Sequence, residues 1–224
     1  SGVTLVIRGV TLTGGNTTGS GGGLRNTGGT VTFEQGTLSG NTADLGGAFA
    51  NLSSGQLTIT GSTVSTNTAS TGGAVLNDEG TVTITSSTVT ANTATQAGGV
   101  GNLSGTIHLK NSIIADNTAS SANPDVTGSF VSAGNNLIGN LGNATGLTHG
   151  NNGDLVGSSG SPIDPLLGPL QDNGGLTWTH VPLPGSPAID AGDNDGAPTT
   201  DQRGITIPQD ADGDSTATVD IGAV

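Results

Sequence analysis

QLTITGSTVSTNTASTGGAVLN, residues 56–77, is followed by a second version of the same pattern, TVTITSSTVTANTATQAGGVGN, residues 81–102. The dipeptide Asn-Thr marks this repeat along the first half of the chain. Its Asn residues follow one another at steps of 25, 26, 25 and 25 residues: Asn16, Asn41, Asn67, Asn92 and Asn117. A fixed period of this size is typical of a solenoid built from one repeated rung, meaning one full circuit of the chain.

Apolar residues keep the same period and alternate with Thr, as in Thr81-Val82-Thr83-Ile84. Such alternation is typical of a strand with one buried face. Three apolar segments recur in each repeat and predict three short strands, while the dominant Thr, Ser, Gly and Val residues disfavour helices. We therefore predict an all-β fold, a right-handed parallel β-helix with three strands in each rung of about 25 residues.

Asn recurs at two corners of every predicted rung. An Asn side chain tolerates left-handed backbone and carries both a donor and an acceptor, so it can bond to its counterparts in neighbouring rungs. We predict two internal Asn ladders, with ordinary solvent-facing turn residues as the alternative. The first ladder would contain the five Asn-Thr residues named above, and the second would contain Asn26, Asn51, Asn77 and Asn102.

Composition and charge limit the classes of function. The chain has 224 residues, of which 41 are Gly and 31% are hydrophobic, and a solenoid needs only a thin continuous core. Four basic and 17 acidic residues give a formal net charge of −13, which disfavours nucleic-acid partners, and no stretch is long enough for direct membrane insertion. The lack of Cys excludes disulfides and thiolate metal sites, and the lack of Met predicts a processed product or a fragment.

The repeat is regular to about residue 119 and irregular from there to about residue 160. Beyond residue 160 lie eight of the nine prolines and most of the acidic residues. We predict a single domain that consists of a β-helix solenoid over residues 1–160 and a Pro- and Asp-rich C-terminal cap over residues 161–224. An open β-helix end must be covered or paired, so we expect the cap to cover one.

Several motifs of this C-terminal part resemble a known family. They are DPLLGPLQDNGG at 164–175, PGSPAIDAG at 184–192, DQRG at 201–204 and DIGAV at 220–224. Together they resemble the C-terminal signature of the choice-of-anchor Q domain family, and the upstream repeats are similar to those of bacterial β-helix surface proteins, including polymorphic outer membrane proteins. The resemblance implies an exported bacterial protein, extracellular or at the cell surface, with no common enzymatic activity. Family members continue into an anchoring signal, from which this sequence departs by stopping at Val224.

Four carboxylates have nearly the spacing of a calcium loop: Asp210, Asp212, Asp214 and Asp220. Ser215 and Ile221 stand where an EF-hand loop has Gly and Glu, so the match is partial. A looser second acidic cluster contains Asp190, Asp193 and Asp195. We predict Ca²⁺ as the one cofactor, with a solvated acidic loop as the alternative.

Other polar residues of the C-terminal part are candidates for structural or ligand-binding roles. Asp201 and Arg203 are expected to form an ion pair that holds the cap. Trp178 could stack on a sugar ring and His180 could act as a base, whereas packing within the cap is the alternative for both. We predict no catalytic residue in the solenoid, because its rungs lack the paired carboxylates of glycosidases.

Three hypotheses for function follow. The first is a non-enzymatic extracellular structural or adhesive module, whose open N-terminal edge pairs with itself or with further β-helix rungs and can build a head-to-tail filament. The second is a carbohydrate-active enzyme or a binder of surface glycans with a site in the cap. The third is ice binding by two rows of outward hydroxyls, broken at Ile113 and Ala115: Thr11, Thr13, Thr37, Ser39, Thr63, Ser65, Thr88 and Thr90.

Overall fold

The computed structural model describes residues 2–209 and 216–223, and it is an all-β parallel β-helix of about five rungs. The first two rungs contain β1 (Thr4–Arg8), β2 (Thr11–Thr13), β3 (Leu24–Thr27), β4 (Thr30–Glu34), β5 (Thr37–Ser39) and β6 (Phe49–Leu52). The next three contain β7 (Gln56–Thr60), β8 (Thr63–Ser65), β9 (Thr68–Thr71), β10 (Val75–Asp78), β11 (Gly80–Thr85), β12 (Thr88–Thr90), β13 (Thr93–Gln96), β14 (Val100–Asn102), β15 (Gly105–Lys110), β16 (Ile113–Ala115), β17 (Thr118–Ala122) and β18 (Val126–Thr127). The irregular part contains β19 (Val131–Ser132), β20 (Leu137–Ile138), a 3-10 helix (Asn151–Gly153) and β21 (Leu155–Val156).

Equivalent strands of successive rungs pair in parallel and form four sheets. Sheet A has the order β1-β4-β7-β11-β15-β19, and sheet B has the order β2-β5-β8-β12-β16-β20-β21. Sheet C has the order β9-β13-β17, and sheet D has the order β18-β14-β10-β6-β3. Sheets A, B and D are the three predicted strands of each rung. Sheet C is a fourth strand that the sequence did not predict, because only small Ala residues such as Ala69 and Ala94 point inward from it.

The predicted register of the apolar columns is confirmed. In sheet A one column runs through the rungs in the expected order: Leu5, Val31, Leu57, Val82 and Ile107. Phe33 and Phe49 meet edge to face inside the second rung, with ring centroids 5.5 Å apart. From the second rung onward these inward residues are buried, so stacking of rungs supplies the hydrophobic core.

The C-terminal layer, residues 161–209 and 216–223, lies along the side of the solenoid on sheet B rather than across an end. The carbonyl oxygen of Trp178 accepts a hydrogen bond from Thr37 Oγ1 at 2.6 Å, and the backbone N–H of Ala223 donates to Thr88 Oγ1 at 3.1 Å. Closer to the C-terminal end of sheet B, Ile113 belongs to a small apolar cluster that includes layer residues. The outward hydroxyls of sheet B therefore hold a segment that was expected to be an end cap.

The C-terminal end of the solenoid is covered by the irregular segment 140–157. Within this segment Ala144 and Leu147 are buried and join the main core beside Phe130. Among the residues of known placement, no helix is both long and apolar enough to cross a membrane.

Candidate functional site

Asn residues form a buried column at the corner between sheets B and C, which we call the Asn41 ladder. The Nδ2 groups of Asn41, Asn67 and Asn92 each donate to Oδ1 of the Asn in the next rung at 2.9 Å, ending on Asn117. In each step the backbone N–H donates to the same Oδ1. These side chains are internal, as predicted, and they join successive rungs through the core.

Asn16 does not belong to this ladder, so that part of the prediction is wrong. Asn16 is exposed and pairs with Thr42, while Gly15 occupies the ladder position and donates its backbone N–H to Asn41 Oδ1 at 2.9 Å. The preceding strands align at a step of 26 residues, whereas the Asn-Thr step is 25. A Cβ atom on Gly15 would lie 1.9 Å from the carbonyl oxygen of Gly22, so no side chain fits there.

The second predicted column, the Asn26 ladder, lies at the corner between sheets D and A. Asn26 Nδ2 donates to Asn51 Oδ1 at 2.8 Å, Asn51 to Asn77 at 2.9 Å, and Asn77 to Asn102 at 3.0 Å. Asn102 Nδ2 ends the column on the carbonyl oxygen of Ser129 at 2.7 Å. All four predicted members are therefore brought together.

A serine ladder, which the sequence analysis missed, lies at the corner between sheets A and B. The backbone N–H of Gly36 donates to Ser62 Oγ at 3.2 Å, that of Ser62 to Ser87 Oγ at 3.2 Å, and that of Ser87 to Ser112 Oγ at 3.3 Å. Each Oγ also donates to a carbonyl two residues earlier at 2.8 Å. The signal was a Ser at steps of 25, but Ser is common in turns for local reasons.

Two of these ladders end on a buried carboxylate. Asn117 donates both its backbone N–H and Nδ2 to Asp125 Oδ1 at 2.9 Å. The serine ladder continues from Ser112 to Asn136, which donates in the same two ways to Asp154 Oδ1 at 2.9 and 3.0 Å. An ionised carboxylate only accepts hydrogen bonds, so it ends a chain of donors. Neither Asp125 nor Asp154 was predicted from the sequence to have this role.

Burial dominates the electrostatics of Asp125. It raises the pKa of this carboxyl to about 6, although N–H donors from Asn117 and Asn140 lower the pKa. Asp154 is also buried, and its Oδ2 has no hydrogen-bond partner within the described ranges 2–209 and 216–223. The C-terminal end of the solenoid thus contains two buried carboxyl groups, and each accepts hydrogen bonds from the last Asn of a ladder.

Gln202 is one of the residues that attach the C-terminal layer to sheet B and to the turn that precedes β5. Its Nε2 donates to the carbonyl oxygen of Gly36 at 3.1 Å and to the Oγ1 atoms of Thr37 and Thr177 at 3.1 and 2.8 Å. Its Oε1 accepts from Thr63 Oγ1 at 2.7 Å. Gln202 belongs to the DQRG motif noted in the sequence, but no role was predicted for it.

The structure separates the two residues of the predicted ligand site. Trp178 is 55% exposed, whereas His180 is 7% exposed and faces the solenoid. His180 Nδ1 lies 2.7 Å from the carbonyl oxygen of Gly168, which can only accept, so Nδ1 carries the proton and Nε2 accepts from Ser65 Oγ at 2.9 Å. Burial lowers the pKa of His180. This Ser65–His180 contact is buried between the C-terminal layer and sheet B, and it holds the layer against the sheet.

The outward hydroxyls of sheet B are not an exposed face, which corrects the premise of the ice-binding hypothesis. Five of the eight residues are buried under the C-terminal layer: Thr37, Thr63, Ser65, Thr88 and Thr90. The rows break at Ile113 because the layer there makes apolar contacts through Ala188 and Ile221. The hydroxyl groups of sheet B therefore bond to polar groups of the C-terminal layer, and Ile113 packs against its apolar residues.

The predicted pair Asp201–Arg203 is present and lines a small cavity. Arg203 Nη2 and Nε lie 2.7 and 2.8 Å from Asp201 Oδ2, and Asp201 Oδ1 accepts the backbone N–H groups of Arg203 and Ile205 at 2.9 and 2.8 Å. The cavity has a volume of about 140 Å³ and is also lined by Ser86 and Asp220. Its polar groups have the chemistry to hold a small polar molecule.

The calcium prediction lies largely outside the described residues. Asp210, Asp212 and Asp214 are not among them, and Asp220 Oδ1 accepts the backbone N–H of Asp190 at 2.9 Å. Burial raises the pKa of Asp220. In the second cluster, Asp193 pairs with Lys110 at 3.0 Å. No three His, Cys, Asp or Glu residues of known placement are grouped to hold a metal, so calcium binding stays a prediction.

The first rung is open at its outer side. β1, β2 and β3 are the outermost strands of sheets A, B and D, and their outer edges have no strand partner among residues 2–209 and 216–223. Leu5, which faces the core, is 43% exposed, whereas Val31 in the next rung is 5% exposed. A depression of about 480 Å³ lies between β1 and β3 and is lined by Leu5, Leu24, Asn26 and Val31.

Comparison of this chain with known proteins adds no relative. No family model, curated protein or solved structure matches it. The fold therefore defines the class of protein, a parallel β-helix with three internal ladders, a lateral C-terminal layer and an open first rung.

Proposed function

We propose that this chain is a non-enzymatic structural module of an exported bacterial protein, and that it extends a β-helix rod through its open first rung. The exposure of Leu5 carries the proposal, because the equivalent residues of later rungs are buried. Burying a side chain of this size stabilises a protein by about 2 kcal/mol. Leu5 is 43% exposed, so an incoming rung would gain about half of this energy there and less at the partly buried Leu12 and Leu24.

The roles of the polar residues support a structural function. His180 and Gln202 hold the C-terminal layer, Asp201 is fully used by Arg203 and two backbone N–H groups, and Asp125 ends a ladder. The ladders link successive rungs by directional hydrogen bonds, with the serine ladder beginning at the second rung. A rod built in this way resists bending, which suits a spacer or a surface for adhesion.

The sequence motifs support an extracellular or cell-surface location. The choice-of-anchor Q resemblance in the C-terminal part implies export, and calcium binding by the acidic residues at 210–220 would suit an extracellular protein. Both remain proposals. The covered C-terminal end of the solenoid favours pairing at the open end over a continuing head-to-tail filament, since a filament needs complementary surfaces at both ends.

Addition of one rung tests the proposal directly. A copy of residues 28–52, which form the second rung, placed immediately before Gly2 continues the registers of sheets A and D. We expect the melting temperature to rise by about 5 °C or more, because each kcal/mol is worth about 2–4 °C in a domain of this size. The control contains one extra residue at the junction, which turns the apolar face outward. Equal melting temperatures for the parent and the in-register chain would overturn the proposal.

The Asp201–Arg203 cavity favours carbohydrate binding as a second candidate function. Its volume of about 140 Å³ suits a molecule no larger than a monosaccharide, and Arg203, Asp220 and Ser86 offer donors and acceptors. Titration calorimetry with neutral and acidic monosaccharides should give saturable heat that Asp220→Asn weakens and Asp78→Asn, on the surface, leaves unchanged. The absence of heat with every sugar would overturn this candidate.

A further inference from the structure

All three ladders have the same polarity along the solenoid. In each step the earlier rung donates and the later rung accepts, as in Asn26 Nδ2 to Asn51 Oδ1 or the Ser62 N–H to Ser87 Oγ. A rung that joins the C-terminal side must therefore accept hydrogen bonds from the ladders. A rung that joins the N-terminal side must donate them.

The C-terminal ends of the ladders are already complete. Asp125 and Asp154 each accept two N–H groups from the last Asn of a ladder, and the Asn26 ladder ends on the carbonyl oxygen of Ser129. When the carboxyls are ionised, none of these acceptor oxygens carries a hydrogen that could be donated to a further rung. The ladders stop within the chain at this end.

At the N-terminal end, among residues 2–209 and 216–223, only one ladder has a side-chain amide in the first rung. Gly15 begins the Asn41 ladder, and Gly36, in the second rung, begins the serine ladder with a backbone N–H alone. A Cβ atom on Gly36 would lie 2.5 Å from the ring of Phe33, so that position admits no side chain. Asn26 is different, because its amide is present and buried at the open end.

The amide oxygen of Asn26 lacks the inter-rung bond that its counterparts have. Asn51 Oδ1 accepts an amide of the preceding rung at 2.8 Å, and Asn77 Oδ1 does so at 2.9 Å. Asn26 Oδ1 accepts the backbone N–H of Gly29 at 3.0 Å, and within the described part of the chain no earlier rung supplies an amide to it. A carbonyl oxygen has two lone pairs, so it can accept a second donor.

We propose that the partner of the open first rung is a β-helix rung that carries an Asn above Asn26, whose Nδ2 donates to Asn26 Oδ1. The proposal rests on the proposed function and names the chemistry of the incoming rung. The same rung fills the depression between Leu5 and Leu24 with apolar side chains, and at the other two ladder corners it needs no Asn or Ser. Asn26 thus specifies which rungs can join.

The added-rung chain tests this chemistry with one further substitution. In the copy of residues 28–52, Asn51 comes to lie above Asn26, and Asn51→Asp in the copy alone replaces the donor with a carboxylate. We expect this variant to lose at least half of the rise in melting temperature, because two acceptors then face each other. Asp44→Asn in the copy is the matched control, since it makes the reverse change at an exposed position and should keep the full rise.

Hydrogen exchange gives a second readout. The side-chain amide protons of the copied Asn51 should exchange slowly, and so should those of Asn51 and Asn77, which are buried and hydrogen-bonded inside the solenoid. If the Asp variant is as stable as the Asn variant, the inference about Asn26 is overturned while the proposed function stands. If neither added rung stabilises the chain, the proposed function fails as well.

Discussion

Asn117 donates two hydrogen bonds to one oxygen of Asp125, from its backbone N–H and from Nδ2, each at 2.9 Å. In every earlier step of this ladder an Asn occupies the accepting position and donates its own N–H groups to the next rung. Asp125 ends the series because it accepts without donating, and its second oxygen takes the backbone N–H of Asn140 at 2.8 Å. The solenoid therefore has a chemically defined C-terminal end, in contrast to its open first rung.

The buried carboxyl of Asp125 makes stability depend on pH. Its pKa is about 6 in the folded protein against an ordinary value of 3.8, so the folded state binds more protons between these pH values. The free energy of unfolding should fall as the pH rises from about 4 to about 6, by up to about 3 kcal/mol. Urea unfolding across this range should show that Asp125→Asn flattens the fall. Parallel curves for both proteins would contradict the assignment.

His180 should contribute a pH dependence of the opposite sign. Burial lowers its pKa below the ordinary value of 6.5, so the unfolded chain binds more protons in the window below pH 6.5. Its contribution to stability is present above pH 6.5 and is lost as the pH falls through the folded pKa. His180→Gln should remove this loss in the same urea measurements. A pH profile unchanged by His180→Gln would show that the folded environment does not perturb this residue.

Removal of the Gln202 side chain should release the C-terminal layer while the solenoid stays folded. Gln202→Ala leaves the Thr63 hydroxyl without its acceptor and the Thr37 hydroxyl with Trp178 alone, and it should cost about 3 kcal/mol. Hydrogen exchange should then accelerate in residues 161–209 and stay slow in the core strands of sheet A. Gln209→Ala, at an exposed position, is the control and should change neither region. Uniform acceleration of both regions would mean that layer and solenoid unfold together.

Asn67 and Asn16, which both occur in Asn-Thr dipeptides, should respond differently to substitution by Asp. Asn67→Asp places a carboxylate beside the carbonyl oxygens of Leu38 and Ser65, where Nδ2 now donates at 3.0 Å, and should cost about 3–5 kcal/mol. Asn16→Asp should change stability by less than about 0.5 kcal/mol, because Asn16 is exposed and outside the ladder. Chemical denaturation measures both. Similar costs would place Asn16 in the ladder after all.

Calcium should raise the melting temperature if the acidic motif binds it. A ligand that binds only the folded state stabilises it by about 2.7 kcal/mol at a concentration of 100 times its Kd. EDTA should reverse the rise, and Asp212→Asn should abolish it, while Asp44→Asn on the solenoid surface serves as the control. Identical melting curves with Ca²⁺ and with EDTA would show that neither acidic cluster binds calcium.

Much of the solenoid followed from the sequence because each rung repeats the same local rules. Alternation such as Thr81-Val82-Thr83-Ile84 indicates which face is buried, and five repetitions make that signal strong. The Asn26 ladder followed for the same reason. The inclusion of Asn16 was wrong because the Asn-Thr period and the strand register differ by one residue in the first rung. Spacing alone cannot distinguish a shift of one residue from a variation in turn length.

By itself the sequence determined the repeat, the parallel β-helix, the apolar columns and most of the two Asn ladders, since these depend on patterns within about 26 residues. Only the tertiary structure decided that the C-terminal layer lies on sheet B, that its hydroxyl rows are covered, and that Asp125 and Asp154 end ladders. These features depend on contacts such as Thr63 with Gln202, which are 139 residues apart. Local periodicity carries no information about such contacts, because the chain between them can take many paths.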